Sequence, residues 1–185
     1  MKTALAVLLA AWTLPIAGSA ANAQDVSRIT FDATLGKGTG RTGGEYVNNQ
    51  TGVAADALLA ARVKSTGHGA LVVGLNAGVY GTGPYDAICR PAPGGCVPGF
   101  PEFEMGGALI GWQTRNALLR AMAGAAYAQA DWDGWSLAWQ ARLDGALPLG
   151  RHIAALGSLR SALIPNYPNG DRFSLYAFGV GLRIQ

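Results

Sequence analysis

The feature that most constrains this chain is a hydrophobic period of two. From Trp135 to Leu147, the residues Trp135, Leu137, Trp139, Ala141, Leu143 and Leu147 fall on one face, and Ser136, Gln140, Arg142 and Asp144 fall on the other. Successive side chains of a β-strand point to opposite faces, so this pattern predicts a strand with one apolar side; a helix would mix the two sets. The segment Ser27 to Lys37 repeats it, with Ile29, Phe31, Ala33 and Leu35 opposing Arg28, Thr30, Asp32 and Thr34.

Six further segments follow. Ala57, Leu59, Ala61 and Val63 oppose Asp56, Arg62 and Lys64, and Leu71, Val73, Leu75 and Val79 oppose Gly74, Asn76, Gly78 and Tyr80. Phe103, Met105 and Leu109 are set on the apolar face against Glu102, Glu104, Gly106 and Ala108, although the alternation is weaker there. Leu119 to Tyr127, Ile153 to Leu163 and Tyr176 to Ile184 complete the series. The expectation is an all-β chain, an up-and-down antiparallel barrel of about eight strands. Ala and Leu between Asn116 and Leu163 also suit helices, but Gly124, Gly134, Gly145, Gly150 and Gly157 recur where helix interiors would suffer.

The connections carry a second signal. Lys37 to Ala54 and Gly81 to Pro101 are long, Ser65 to Gly69, Gln113 to Asn116 and Leu147 to Arg151 are short, and Ile164 to Asp171 is intermediate. Short turns at one end and longer loops at the other are what a membrane barrel with both termini in the periplasm requires; only the brief Asp131 to Gly134 breaks the order.

The first residues set the compartment. Lys2 precedes an almost continuously apolar run to Gly18, and Ala21-Asn22-Ala23 has the small-x-small form of a cleavage site, so residues 1–23 are expected to be a signal peptide and 24–185 the barrel domain. In an oxidising compartment Cys89 and Cys96, separated by a Pro/Gly-rich stretch, are expected to form a disulfide. Charged residues make up only 14% of the chain, against roughly 25% in soluble domains. The basic residues are scattered singly, which excludes a nucleic-acid footprint.

Alternation alone does not say which face is inside. One face carries Leu, Val, Phe and Trp, whereas the other carries Gly, Ala, Ser and most strand charges, and few charges remain to cover a soluble barrel. The apolar face is therefore expected to meet lipid and the charged one to line the lumen. Asp32, Arg62, Glu104, Arg120, Arg142, Asp144 and Arg160 form the expected lumenal polar network, with Arg183 near them and Asp56 toward the outer mouth. An eight-stranded interior is filled by its own side chains, which disfavours an open pore. Phe103, Tyr127 and Trp135 would form half of an aromatic girdle.

With these segments and this polarity, the chain resembles the small outer-membrane barrels of the OmpA, OmpX and opacity-protein type over nearly all of residues 24–185. The resemblance implies outer-membrane lipid and lipopolysaccharide as surroundings. It also implies recognition by the barrel-assembly machinery through Gly179, Leu182 and Ile184, although Gln185 stands where that signal prefers an aromatic residue.

Function is expected to be structural, or to lie in surface interaction with an extracellular ligand through loops 37–54 and 81–101. No catalytic, cofactor or metal residues are assigned. The enzymatic alternative is a lipid A deacylase of the PagL type, which Ser158, Pro165, Asn166 and Gly170 resemble locally, but Leu156 stands in the place of the catalytic histidine. A serine without a base in reach is not activated. A soluble periplasmic ligand-binding barrel is the third reading. Gly38 to Gly43 fits G-x-G-x-x-G but precedes no helix and reads as a loop, and Asp131 and Asp133 read as turn residues.

Overall fold

The structure, a computed structural model, describes residues 28–43, 49–81, 88–89, 96–97, 103–130, 135–167 and 171–185. The expected signal peptide and Asp131 and Asp133 lie outside them. Every regular element among the described residues is a strand: β1 (Ile29–Gly43), β2 (Asn49–Ser65), β3 (Gly69–Gly81), β4 (Ile88–Cys89), β5 (Cys96–Val97), β6 (Phe103–Thr114), β7 (Leu119–Ala130), β8 (Ser136–Pro148), β9 (Ile153–Tyr167) and β10 (Asp171–Ile184). Eight of them close into one barrel in the order β1-β10-β9-β8-β7-β6-β3-β2, and β4 pairs only with β5. All pairings are antiparallel, so the chain winds up and down with β1 and β10 forming the closing seam.

The two faces of the wall differ as the alternation demands. Leu35, Val63, Leu75 and Leu147 point outward and are 60–66% exposed, while Asp32, Arg120, Asp144 and Arg183 point inward and are 0–1% exposed. In water this arrangement would leave an apolar exterior around buried charge; in hydrocarbon it places each class in its favourable surroundings. The fold is therefore that of a transmembrane barrel, with strands of 12–17 residues where roughly 9–11 cross the hydrocarbon core.

Three sequence expectations are corrected. The stretch from Lys37 to Ala54 is mostly strand: β1 runs on to Gly43 and β2 begins at Asn49, so Gly38 to Gly43 is not a loop. Its Thr and Gly residues carry no apolar signal, yet β1 is hydrogen-bonded on both sides there, to β2 and β10, and the Thr39 and Thr51 hydroxyls meet at 3.2 Å. Likewise β9 and β10 extend to Tyr167 and from Asp171, shortening the last loop. The third correction is the parity of β6. Phe103, Met105 and Leu109 point inward and Ile110 and Trp112 outward. Both faces of this segment carry apolar residues, so its own pattern does not decide; the register with β3 does, setting Phe103 opposite Tyr80 and Leu109 opposite Gly74 on the inward side. Phe103 thereby leaves the expected aromatic girdle, whereas Tyr127 and Trp135 remain outside at 59% and 58% exposed.

The closing seam explains its glycines. An added Cβ at Gly36 would lie 1.9 Å from the Phe178 carbonyl oxygen, and one at Gly181 would lie 1.8 Å from that of Ala33. A wall this tightly curved brings neighbouring backbones together on its inner side, and only glycine fits such an approach.

Candidate functional site: the barrel lumen and its ends

Charge enters the lumen because short and long polar side chains occupy inward positions on β1, β2, β7, β8, β9 and β10. Asp32 on β1 accepts from Arg183 Nε at 2.9 Å and from its Nη2 at 3.1 Å, and it is also bonded to Arg120. Arg120 on β7 reaches Asp144 through Nε at 3.0 Å and Nη2 at 2.6 Å, and donates to the Thr30 hydroxyl at 3.2 Å. Asp144 in turn accepts from Arg142 Nε at 2.7 Å. Arg142 is bonded to Asp56, whose second oxygen lies 3.3 Å from Arg160. Arg160 ends the chain by donating to Thr34 at 2.9 Å and to the Tyr80 hydroxyl at 3.3 Å.

The result is a zigzag of alternating sign, with four guanidinium groups (Arg120, Arg142, Arg160, Arg183) and three carboxylates (Asp32, Asp56, Asp144), all buried. Buried ions are tolerated only when paired and hydrogen-bonded, and here each has more than one partner. Beside it, Asn76 and Gln140 exchange reciprocal amide bonds of 2.9 and 2.7 Å across the lumen. The network also reaches the β6–β7 turn, where Ala117 adopts a left-handed conformation (φ 59°) and its carbonyl accepts from Arg183 Nη1 at 3.1 Å.

Toward the loop end the lumen turns apolar. Tyr80, Met105, Ile164, Leu175 and the rings of Phe103 and Phe173 pack together, the two rings stacked with centroids 4.7 Å apart. Between this plug and the ion network the enclosed cavity, bordered by Asn76, Tyr80, Gln140, Arg142 and Arg160, measures only about 10 Å³. That is room for about one water molecule. Among the described residues, this cavity has no space for an apolar ligand of the size a soluble carrier barrel would hold.

Of the residues singled out from the sequence, Asp32, Arg120, Arg142, Asp144 and Arg160 meet in this network. Arg62 is half-buried on the inward parity of β2, next to a register shift between Arg62 and Lys64. Glu104 lies on the outward parity of β6 as part of the same correction that turns Phe103 inward. Asp56, expected toward the outer mouth, lies within the network between Arg142 and Arg160. Sequence reasoning missed the Asn76–Gln140 pair and the role of Tyr80, whose only signal was inward parity.

At the loop end, Cys89 and Cys96 stand directly opposite each other in the β4–β5 ladder. In β10, Gly179 has a packing reason of its own: a Cβ there would lie 2.9 Å from Arg160 Nη2 and 3.2 Å from Thr34. Leu182 and Ile184 point outward, 51% and 46% exposed. Ser158 is 1% exposed inside the wall, opposite Asp144 on β8 and Gly179 on β10, and both histidines, His68 and His152, lie exposed in turns at the end of the barrel away from β4 and β5. Its hydroxyl is thus withheld from lipid on the outer surface.

No family model matches the chain. No curated protein matches it either. Among solved structures it is similar to the crystal structure of Ail, the attachment invasion locus protein of Yersinia pestis, with 13% identity over 85% of this chain and 100% of that one and a TM-score of 0.43. It is also similar to that protein in complex with the heparin analogue sucrose octasulfate, with 11% identity, the same coverage and a TM-score of 0.42.

Proposed function

We propose that this is a bacterial outer-membrane protein whose barrel is a non-conducting, non-catalytic anchor and whose activity lies in the loops it carries outside the cell. The observation that supports this reading best is the filled lumen: an ion network backed by an apolar plug, with a cavity of about 10 Å³ between them. With solutes excluded from the interior and Ser158 enclosed in the wall, the loop end is the surface left to meet a partner. The three turns at the other end are short, spanning residues 66–68, 115–118 and 149–152, which fits a periplasmic rim with both termini beside it. A signal peptide at 1–23, cleaved on export, and insertion by the barrel-assembly machinery complete the route.

Within the largest loop, β4 and β5 bring Cys89 and Cys96 face to face, and a disulfide between them would stiffen the loop that separates β3 from β6. A preordered loop loses less freedom when it binds. Because β4 and β5 pair only with each other, deleting residues 82–100 is expected to leave the barrel intact, seen as retention in the membrane fraction and a gel mobility that changes on boiling. Binding of whole cells to the ligand surface recognised by the unmodified protein should then fall to background. Undiminished binding after the deletion would remove this loop from the function.

A further inference from the structure

Near its turn end the outer wall has a dent. Along a single hydrogen-bonded row, Leu119 of β7 faces Gly145 of β8, Gly145 faces Gly157 of β9, and Gly157 faces Val180 of β10. The two central positions carry no side chain, and they open a groove of about 620 Å³ flanked by Leu119, Leu147 and Val180, which are 55%, 66% and 58% exposed. Nothing in the fold demands glycine here. A Cβ at Gly145 would meet nothing within 4 Å, and one at Gly157 would find only the Gly145 carbonyl at 4.0 Å, in contrast to the crowded glycines of the seam. The space is therefore kept for something outside the chain, and its volume lies within the roughly 300–1,000 Å³ of ligand clefts.

The mouth of the groove is polar and basic. It opens at the turn end through Thr114 and Asn116, under the turns that carry the exposed Arg115 and Arg151. Arg28 and Lys64 are exposed at the same end, and among the described residues no acidic side chain is exposed there. An apolar channel leading to a cationic rim matches an amphiphile with a hydrocarbon tail and an anionic head. Guanidinium groups suit phosphate in particular, since their donors match its oxygens two at a time.

We propose that this groove seats an acyl chain of an anionic glycerophospholipid of the periplasmic leaflet, with its phosphate held by Arg115 and Arg151. The inference rests on the membrane reading and on the turn end facing the periplasm.

The test uses the folded barrel in mild detergent, given equal amounts of phosphatidylglycerol, phosphatidylcholine with the same chains, and lipid A, with bound lipid read by native mass spectrometry. The barrel should retain one phosphatidylglycerol, preferred at least about fivefold over phosphatidylcholine, the size expected from one or more basic contacts to an anionic head. Gly145→Val with Gly157→Val should abolish retention while the boiling-dependent mobility shift persists, because both side chains enter open space. Arg115→Gln with Arg151→Gln should leave a lipid bound but erase the preference. Equal retention of the two phospholipids, a preference for lipid A, undiminished binding by the valine variant, or a lipid-free pair of barrels joined through this face would each overturn the inference while leaving the membrane reading intact. A chain that stays in solution without detergent would overturn both.

Discussion

Asp32→Ala is expected to destabilise the barrel by about 3–5 kcal/mol, while Arg120→Met, at the other end of the same ion pair, is expected to cost less than half as much. The asymmetry follows from the count of charges. The buried network holds four guanidinium groups against three carboxylates, so losing Asp32 leaves Arg183 without its two bonds of 2.9 and 3.1 Å and removes one of the carboxylates of Arg120. Two buried cations then face a site with too little negative charge. Losing Arg120 instead evens the count. Asp32 keeps Arg183, and Asp144 keeps Arg142 at 2.7 Å and Arg183 at 3.5 Å, while the methionine stem refills much of the arginine's volume. Urea unfolding of the barrel in phospholipid vesicles, followed by tryptophan fluorescence, measures both. Equal losses would mean that the pair, not the overall balance, governs the lumen.

The second large effect lies on the opposite face. Leu159 is central in β9, opposite Leu143 on β8 and Phe178 on β10, and is 53% exposed. Leu159→Arg should cost about 2–4 kcal/mol, the penalty for a guanidinium near the middle of the bilayer, and should visibly reduce the folded fraction in the same vesicle assay. In a barrel surrounded by water, the same substitution at a half-exposed position would change stability by no more than about 0.5 kcal/mol. The variant therefore discriminates between the two solvents through an effect of several-fold size.

How far these features could be read in the sequence depends on how different the two faces of each strand are. Trp135 to Leu147 is unambiguous, because Arg142 and Asp144 cannot share the face of Trp139 and Leu143. In β6 the faces are Phe103, Met105 and Leu109 against Ile110 and Trp112; both are apolar, and the choice is made by pairing with Tyr80 and Gly74 across the sheet. A local pattern carries no record of such a neighbour, so by itself it assigns Glu104 to the wrong face. The inward placement of Asp32, Arg120 and Asp144 was legible from parity, but their partners were not: Asp32 and Arg120 lie 88 positions apart, and only the closure of the barrel brings them together. The extra length of β1 and β2 was hidden for a simpler reason. From Gly38 to Gly43 the chain is Gly and Thr apart from Arg41, with no apolar face to alternate, and there β1 is paired through its backbone to both β2 and β10.

The central claim is that odd-numbered positions of β9 look into hydrocarbon while even-numbered ones are enclosed. Its most direct test is a nitroxide scan of positions 154–163 in vesicles, in a background with Cys89 and Cys96 replaced by serine. Collision rates would be measured with oxygen, which concentrates in lipid, and with a water-soluble nickel chelate. Labels at 155, 157, 159, 161 and 163 should collide with oxygen and be shielded from nickel, and those at 154, 156, 158, 160 and 162 should be shielded from both. Free access of the nickel chelate to the odd-numbered labels would contradict the account.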